Sequence, residues 1–268
     1  MIKELTEQEL KNTCVEILKE FDKICEENNL KYSVAGGTML GAVRHKGFIP
    51  WDDDIDIIML REDYEKLLAL QFENDNYEIK NYRYTKSYYY SFTKMIDKRT
   101  VITEDSRADR NMGVYIDIFP SDYIDEVDSK KFEKTIKKCQ INKVIVEHLG
   151  SKIGFNKSLS IKYICKLIVR AVLAPFKKAL IKKCDKQFSK NKTGKYCANL
   201  NYNVYGLHDY YESKLWNNLI QLDFEDMKVW AFEDYDSYLK MLYGDYMKFP
   251  PEEDRISHHS FTAYKKTN

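Results

Sequence analysis

The chain has 268 residues, enough for one large domain or a core with an appendage, and 44% hydrophobic with 32% charged residues exclude an extensively disordered polymer. A formal net charge of +1 excludes a global pull toward nucleic acid, so no nucleic-acid partner is expected. Six scattered cysteines without a C-x-x-C pair argue against structural zinc; with no signal-like start and no run of eighteen apolar residues, a cytoplasmic protein is expected. Thr6-x-x-Glu9 is a capping box, and Leu10, Cys14, Ile17, Leu18, Phe21, Ile24 and Cys25 follow at helical spacing as far as Asn28-Asn29. Tyr32 to Ala35 reads as a short strand ended by Gly36-Gly37, and Thr38 to Val43 as a brief helix. Ile55 to Leu60 reads as a strand and Glu62 to Leu70 as a helix with Tyr64, Leu67 and Leu68 inward. Strand-like segments follow at Tyr77 to Tyr84, Tyr88 to Ile96, Val101 to Thr103 and Val114 to Phe119, and helical periodicity resumes from Ser129 to Leu149. This order predicts an α+β fold, a mixed β-sheet flanked by helices with a helical C-terminal portion. Residues 1–125 would form the catalytic core, and 126–268 a mainly helical region that completes the substrate site.

The stretch from Tyr32 to Leu60, YSVAGGTMLGAVRHKGFIPWDDDIDIIML, concentrates glycines, cations and acids. In a strand, Asp54 and Asp56 share one face while Ile55 and Ile57 face the core, so the two carboxylates converge. Carboxylates held close repel unless a cation intervenes, and hard oxygen ligands suit Mg²⁺ or Mn²⁺. Asp52, Asp54 and Asp56 also match the first ligands of an EF-hand loop, but Ile57 and Asp63 stand where that loop needs Gly and Glu. Gly36, Gly37 and Thr38 sit between a strand and a helix start, where close backbone approach and free N–H groups favour an anion. Arg44, His45 and Lys46 are placed on a loop closed by Gly47, to grip phosphate oxygens or simply to be solvated. Trp51 is open to two roles, packing in the core or stacking on a base or cation. Two-metal phosphoryl chemistry asks for a third acid. Asp117, inside the apolar strand GVYIDIFP, is the candidate, with a structural partner such as a tyrosine hydroxyl as the alternative.

GGTMLGAVRHKGFIPWDDDIDI, followed by REDYEKL and later GVYIDIFP, resembles the LicD family of phosphocholine transferases, and Tyr243 to Pro251 with His258 resembles that family's closing segment. The resemblance implies a nucleotidyltransferase-like mixed sheet and transfer of phosphocholine from CDP-choline to a cell-surface glycan of lipopolysaccharide or teichoic acid type, releasing CMP. By position it implies that Gly36 and Gly37 form the glycine turn, that Asp54 and Asp56 are paired metal ligands and that Asp117 is the third carboxylate. Lys94 falls on a basic position able to contact phosphate, its alternative being a solvent-facing strand lysine. Two other readings stay open: another CDP-carried group (ribitol phosphate, glycerol phosphate or phosphoethanolamine), or a non-catalytic membrane- or glycan-binding relative.

From Lys152 to Lys192 the chain carries twelve Lys or Arg against one acid, Asp185. Lys162, Lys166 and Arg170 alternate with Ile161, Ile164, Leu167, Ile168, Val172 and Leu173 up to Pro175. Such a segment suits peripheral contact with the anionic inner face of the plasma membrane, or else a core helix with a solvated basic side. The aromatics between Tyr202 and Tyr246 serve as packing, with three or four of them able to cage a quaternary ammonium.

Overall fold

The computed structural model describes residues 3–86, 88, 90–104, 112–150, 164, 167–168, 171–200, 210–256 and 261–266. The capping box forms as its residues require: the Thr6 hydroxyl accepts from the Glu9 N–H at 3.2 Å and the Glu9 carboxylate from the Thr6 N–H at 2.9 Å. It opens helix α1 (Glu7–Glu27), which buries Cys14, Ile17, Leu18, Phe21 and Cys25 along one face. The central sheet follows, with β2 (Ser33–Val34), β3 (Asp56–Leu60), β4 (Tyr77–Lys80), β5 (Thr93–Asp97) and β7 (Tyr115–Ile124) in the order β2-β3-β7-β5-β4. β3 and β7 run parallel, whereas β2, β5 and β4 pair antiparallel with their neighbours, so the sheet is mixed as expected. Helix α2 (Gly36–His45) connects β2 toward β3, and α3 (Arg61–Leu70) leaves the far end of β3.

Two predicted strands are shorter than the sequence suggested. β4 stops at Lys80 because Asn81 begins a turn, its carbonyl accepting from the Tyr84 and Thr85 N–H groups. The buried Asn81 amide donates to the hydroxyls of Thr93 and Tyr64, which ties that turn to the sheet. The run from Tyr88 enters the sheet only at Thr93; before that, Tyr88, Tyr90 and Phe92 pack as successive rings with centroids 5.4 and 5.2 Å apart.

The expectation of a helical C-terminal portion holds only in part. Helices α4 (Lys130–Gly150) and α5 (Lys177–Phe188) are present, but strands dominate after Tyr196. β8 (Tyr196–Ala198) pairs with the end of β7 and with β9 (Tyr211–Glu212). β10 (Leu219–Phe224) and β11 (Met227–Phe232) form a hairpin about Glu225, whose φ is +52°. The signal was in the sequence: Ile220, Leu222 and Phe224 alternate with polar residues and lie opposite Ala231, Val229 and Met227. After helix α6 (Tyr235–Tyr243), β12 (Phe261–Lys265) returns to pair with β1 (Lys3–Glu4) and β6 (Thr100–Glu104). Among the described residues no helix is long and apolar enough to cross a membrane. Lys162, Lys166, Arg170, Tyr202, Tyr205 and His258 lie outside the described residues.

At the exit of β3, Arg61 is buried against two buried carboxylates, Asp122 at 2.8 and 2.7 Å and Asp185 at 2.8 Å. Asp185 also accepts from Tyr82 and Arg83, so the ion network joins α3, β7, α5 and the turn after β4. Replacing Arg61 by Met is expected to lower the unfolding free energy by about 3–5 kcal/mol, because buried Asp122 loses its cation while Asp185 keeps, of its two guanidiniums, only Arg83. Urea denaturation followed by circular dichroism checks it.

Candidate active site

β3 and β7 are registered so that Asp56 faces Asp117, and β7 and β5 so that Asp117 faces Lys94. Two acids and one lysine therefore stand side by side across three adjacent strands. Lys94 is 2% exposed and pairs with the Asp117 carboxylate, with its ammonium 3.4 Å from the centre of the Tyr115 ring. The rings of Tyr90 and Phe92 lie 4.9 and 5.0 Å away, so aromatic faces complete its surroundings. Lys94 is thus buried, which removes the solvent-facing alternative. Burial lowers its pKa, against the pull of Asp117, Asp56 and Asp54.

The strand begins at Asp56, so Asp54 precedes it rather than sitting within it. Ile55 and Ile57 are fully buried as the alternation required, and the charge of Asp54 is felt at Asp56. Burial and the charges of Asp54, Asp117 and Asp52 push Asp56 well above the usual carboxylate range. Asp52 is pushed up to about 8 by burial and by Asp54 and Asp53. Carboxylate oxygens of Asp52, Asp53 and Asp54 lie within 4.8 Å of one another. The acidic centre is therefore wider than Asp54, Asp56 and Asp117, and reading the strand alone missed the part taken by Asp52 and Asp53.

The glycine turn is tied directly to these acids. The Asp56 N–H donates to the Thr38 hydroxyl at 2.8 Å, and the Ala35 N–H donates to the Asp56 carbonyl at 2.9 Å. Helix α2 starts earlier than expected, at Gly36, whose φ of +51° suits glycine. A Cβ on Gly37 would lie 2.6 Å from the Asp52 carboxylate, so the missing side chain lets the acids approach the head of the helix. Behind the turn, Tyr211, Phe232 and Tyr238 pack with centroids 5.3–5.4 Å apart, and the Tyr238 hydroxyl accepts from the Gly36 N–H at 3.5 Å. These C-terminal rings are packing residues.

The basic tripeptide is not a loop. Arg44 and His45 end α2 and Lys46 is its left-handed cap, with a φ of +56°. Arg44 turns to the C-terminal segment: it donates to the Tyr246 carbonyl at 3.0 Å and to His45 Nε2 at 2.9 Å, and lies 4.4 Å over the Phe249 ring. Burial and the neighbouring Arg44 charge lower the His45 pKa, in keeping with a ring whose Nε2 accepts that bond. Lys46 is turned to the hairpin: its carbonyl accepts from the Glu225 N–H at 2.8 Å, and its charge reaches Asp223. Trp51 is half-buried beside Phe249, at 6.2 Å between centroids, with the Arg255 guanidinium 5.7 Å from its ring. Arg255, which the sequence reading missed, brings a second guanidinium to the Arg44 and Trp51 cluster; no local motif marked it.

Residues 29–156 match a family profile described as LicD/FKTN/FKRP, nucleotidyltransferase domain. The lipopolysaccharide cholinephosphotransferase LicD of Haemophilus influenzae is 33% identical over 276 aligned positions, covering 98% of this chain and 99% of that protein. The chain belongs to the LicD family. Shorter stretches of this LicD-family chain are similar to uncharacterized proteins of Rickettsia typhi, 32% identical over 41% of the chain and 35% of the relative, and of Rickettsia prowazekii, 42% identical over 24% and 25%.

The raised carboxyl pKa values make stability pH-dependent. In metal-free buffer the folded chain holds its proton on Asp52 up to about pH 8, whereas the unfolded chain releases it near the ordinary carboxylate value. The melting temperature is therefore expected to fall as pH rises from about 4 to about 8, and Asp52→Asn to flatten that fall. Thermal scans across that range in the presence of a chelator check it.

Proposed function

We propose that this protein transfers phosphocholine from CDP-choline to a hydroxyl of a lipopolysaccharide-type glycan precursor, releasing CMP. The observation that carries the reading is the meeting of one acidic centre with one helix head: Asp52, Asp54, Asp56 and Asp117 gather beside Gly36, Gly37 and Thr38. The name of the Haemophilus influenzae relative, matched over nearly its whole length, supplies the phosphocholine group and the acceptor class.

Asp54, Asp56 and Asp117, with Asp52 adjoining, are the residues to hold a Mg²⁺ or Mn²⁺ ion. The donor set is all carboxylate oxygen, and the upward-shifted Asp52 and Asp56 carry a charge excess that a divalent cation offsets. When bound, such an ion supplies neutralisation of diphosphate oxygens and Lewis acidity. The N–H groups of Gly37 and Thr38 at the head of α2 receive phosphate oxygens of the donor, aided by the positive end of that helix. Lys94, paired with Asp117, fixes that carboxylate where it can take the proton of the acceptor hydroxyl. The acceptor oxygen attacks the phosphorus that bears choline; the bond from that phosphorus to the bridging oxygen breaks, and CMP leaves with that oxygen. Trp51, next to Asp52 in the chain, and the Arg44 and Arg255 guanidiniums gathered with it about the Phe249 ring are the residues to bound the donor's path.

The experiment is CMP release from CDP-choline in the presence of a lipopolysaccharide acceptor, with CDP-ribitol and CDP-ethanolamine as competing donors. CDP-choline is expected to be the preferred donor. Asp54→Ala, Asp56→Ala and Asp117→Asn are each expected to lower turnover by at least about a hundredfold, as loss of a group that stabilises transition-state charge does. Full turnover in any of the three variants removes that residue from the mechanism, and preference for another donor replaces choline.

A further inference from the structure

Between the end of α1 and the β10–β11 hairpin lies a cavity of about 500 Å³, within the roughly 300–1,000 Å³ common to small-molecule sites. Its lining is apolar and buried at Cys25, Leu30, Tyr32 and Trp216, with Leu219 half-buried beside them. Around these stand polar groups: Asp22 and Glu26 one turn apart on α1, Asn29 and Lys31 just after it, and Asn217 and Gln221 from the opposite side. Trp230, 36% exposed, lines the cavity from β11, directly opposite Gln221 in the hairpin register. The cavity is separate from the acidic centre. Ser33 faces Ile58 where β2 pairs with β3, so Tyr32 stands roughly 10 Å along the sheet from Asp56.

Tyr32 holds the cavity in shape. Its hydroxyl donates to the Asp22 carboxylate at 2.8 Å and accepts from the Trp230 backbone N–H, which ties α1 to β11. Its ring meets Phe21 edge-on at 5.1 Å. Trp216 is fixed in the same way: its indole N–H donates to the Tyr211 hydroxyl at 3.2 Å, and its ring meets Phe232 edge-on at 5.1 Å. Burial raises the Asp22 pKa against the hydrogen bond from Tyr32, and the charge of Glu26 adds to the rise. By contrast, the side chains of Glu26, Asn29, Asn217 and Gln221 make no hydrogen bond or ion pair among the described residues. A fixed apolar lining ringed by planar polar groups with spare donors and acceptors is built to receive a small polar ligand.

We propose that this cavity binds one saccharide unit of a glycan. A sugar ring has an apolar C–H face to lie on the Trp230 indole, and hydroxyls that both donate and accept hydrogen bonds. The amides of Asn29, Asn217 and Gln221 supply donors and acceptors, while Glu26 and the second oxygen of Asp22 supply further acceptors. Other ligand classes fit less well. A quaternary ammonium needs several aromatic faces, but Trp216 is 5% and Tyr32 1% exposed, which leaves Trp230, and Lys31 adds a like charge. A phosphate meets Asp22 and Glu26, and an acyl chain would strip water from two carboxylates and three amides. In the proposed function the sugar belongs to the acceptor glycan, away from the hydroxyl that receives phosphocholine. Taking that glycan to be the acceptor rests on the proposed function; the saccharide chemistry of the cavity does not.

The test is isothermal titration of the full chain with delipidated lipopolysaccharide core oligosaccharide, with no nucleotide and no divalent metal present. Saturable binding is expected. Trp230→Ala is expected to weaken it by at least about tenfold, through loss of the ring on which the sugar lies. Asn217→Ala with Gln221→Ala, at two exposed positions, is expected to weaken it by roughly tenfold while circular dichroism stays unchanged. Asp56→Ala is expected to bind with the affinity of the unsubstituted chain, because Asp56 stands apart from the cavity. Absence of oligosaccharide binding overturns the proposal, as does binding that is lost in Asp56→Ala and kept in both cavity variants. Binding of choline chloride that Trp230→Ala abolishes, without binding of the oligosaccharide, also overturns it, because the cavity is then a cation site. Oligosaccharide binding that depends on Trp230, in a protein that releases no CMP from CDP-choline, supports the cavity and counts against the donor reading alone.

Discussion

The structure is organised around a concentration of negative charge at the edge of an apolar sheet. Asp56 and Asp117 are neighbours because β3 and β7 pair in parallel at that register, and Lys94 joins them because β5 pairs with β7 one strand further on. Carboxylates at such a depth are costly unless compensated. Lys94 supplies one unit of compensation from inside an aromatic box, and it does not suffice for Asp52, Asp54, Asp56 and Asp117 together, as the upward shifts of Asp52 and Asp56 record. In the proposed function a divalent cation supplies the compensation that Lys94 alone does not.

Much of the surrounding chain can be understood as support for that centre. α1 packs beneath it, with the Cys14 thiol donating to the Tyr115 carbonyl and raised in pKa by burial and by the nearby acids. α2 brings its head to the acids through Thr38, and the aromatic cluster of Tyr211, Phe232 and Tyr238 holds the glycine turn from behind. The C-terminal segment closes over Arg44 and Trp51. β3 thus has two ends with opposite characters: acids at its start, and at its exit the Arg61 ion network.

Local chemistry was legible in the sequence where a residue type and a near neighbour suffice. The Thr6 and Glu9 capping box, the buried Ile55 and Ile57 between acids, and the strand or helix character of most segments before Gly150 depend on contacts a few residues apart. Local reading failed where a distant partner overrules it. Asn81 ends β4 in a turn that its amide ties to Thr93 and Tyr64, and Arg44 bonds a carbonyl some two hundred residues on instead of standing free in a loop. The hairpin of β10 and β11 was carried by an alternating pattern too short to stand out against helix-like spacing nearby.

The residue inventory of the acidic centre and its family likeness are properties of the linear chain, since the motif from Gly36 to Ile57 is contiguous and Asp117 is conspicuous inside an apolar run. The pairing of Lys94 with Asp117, the inclusion of Asp52 beside Gly37, the turning of Arg44 and Lys46 toward the C-terminal half, and the arrival of Arg255 at Trp51 belong to the folded molecule. The reason is physical: side-chain type and short-range periodicity are written residue by residue, whereas strand register and the packing of distant segments arise only when the whole chain buries its apolar surface at once.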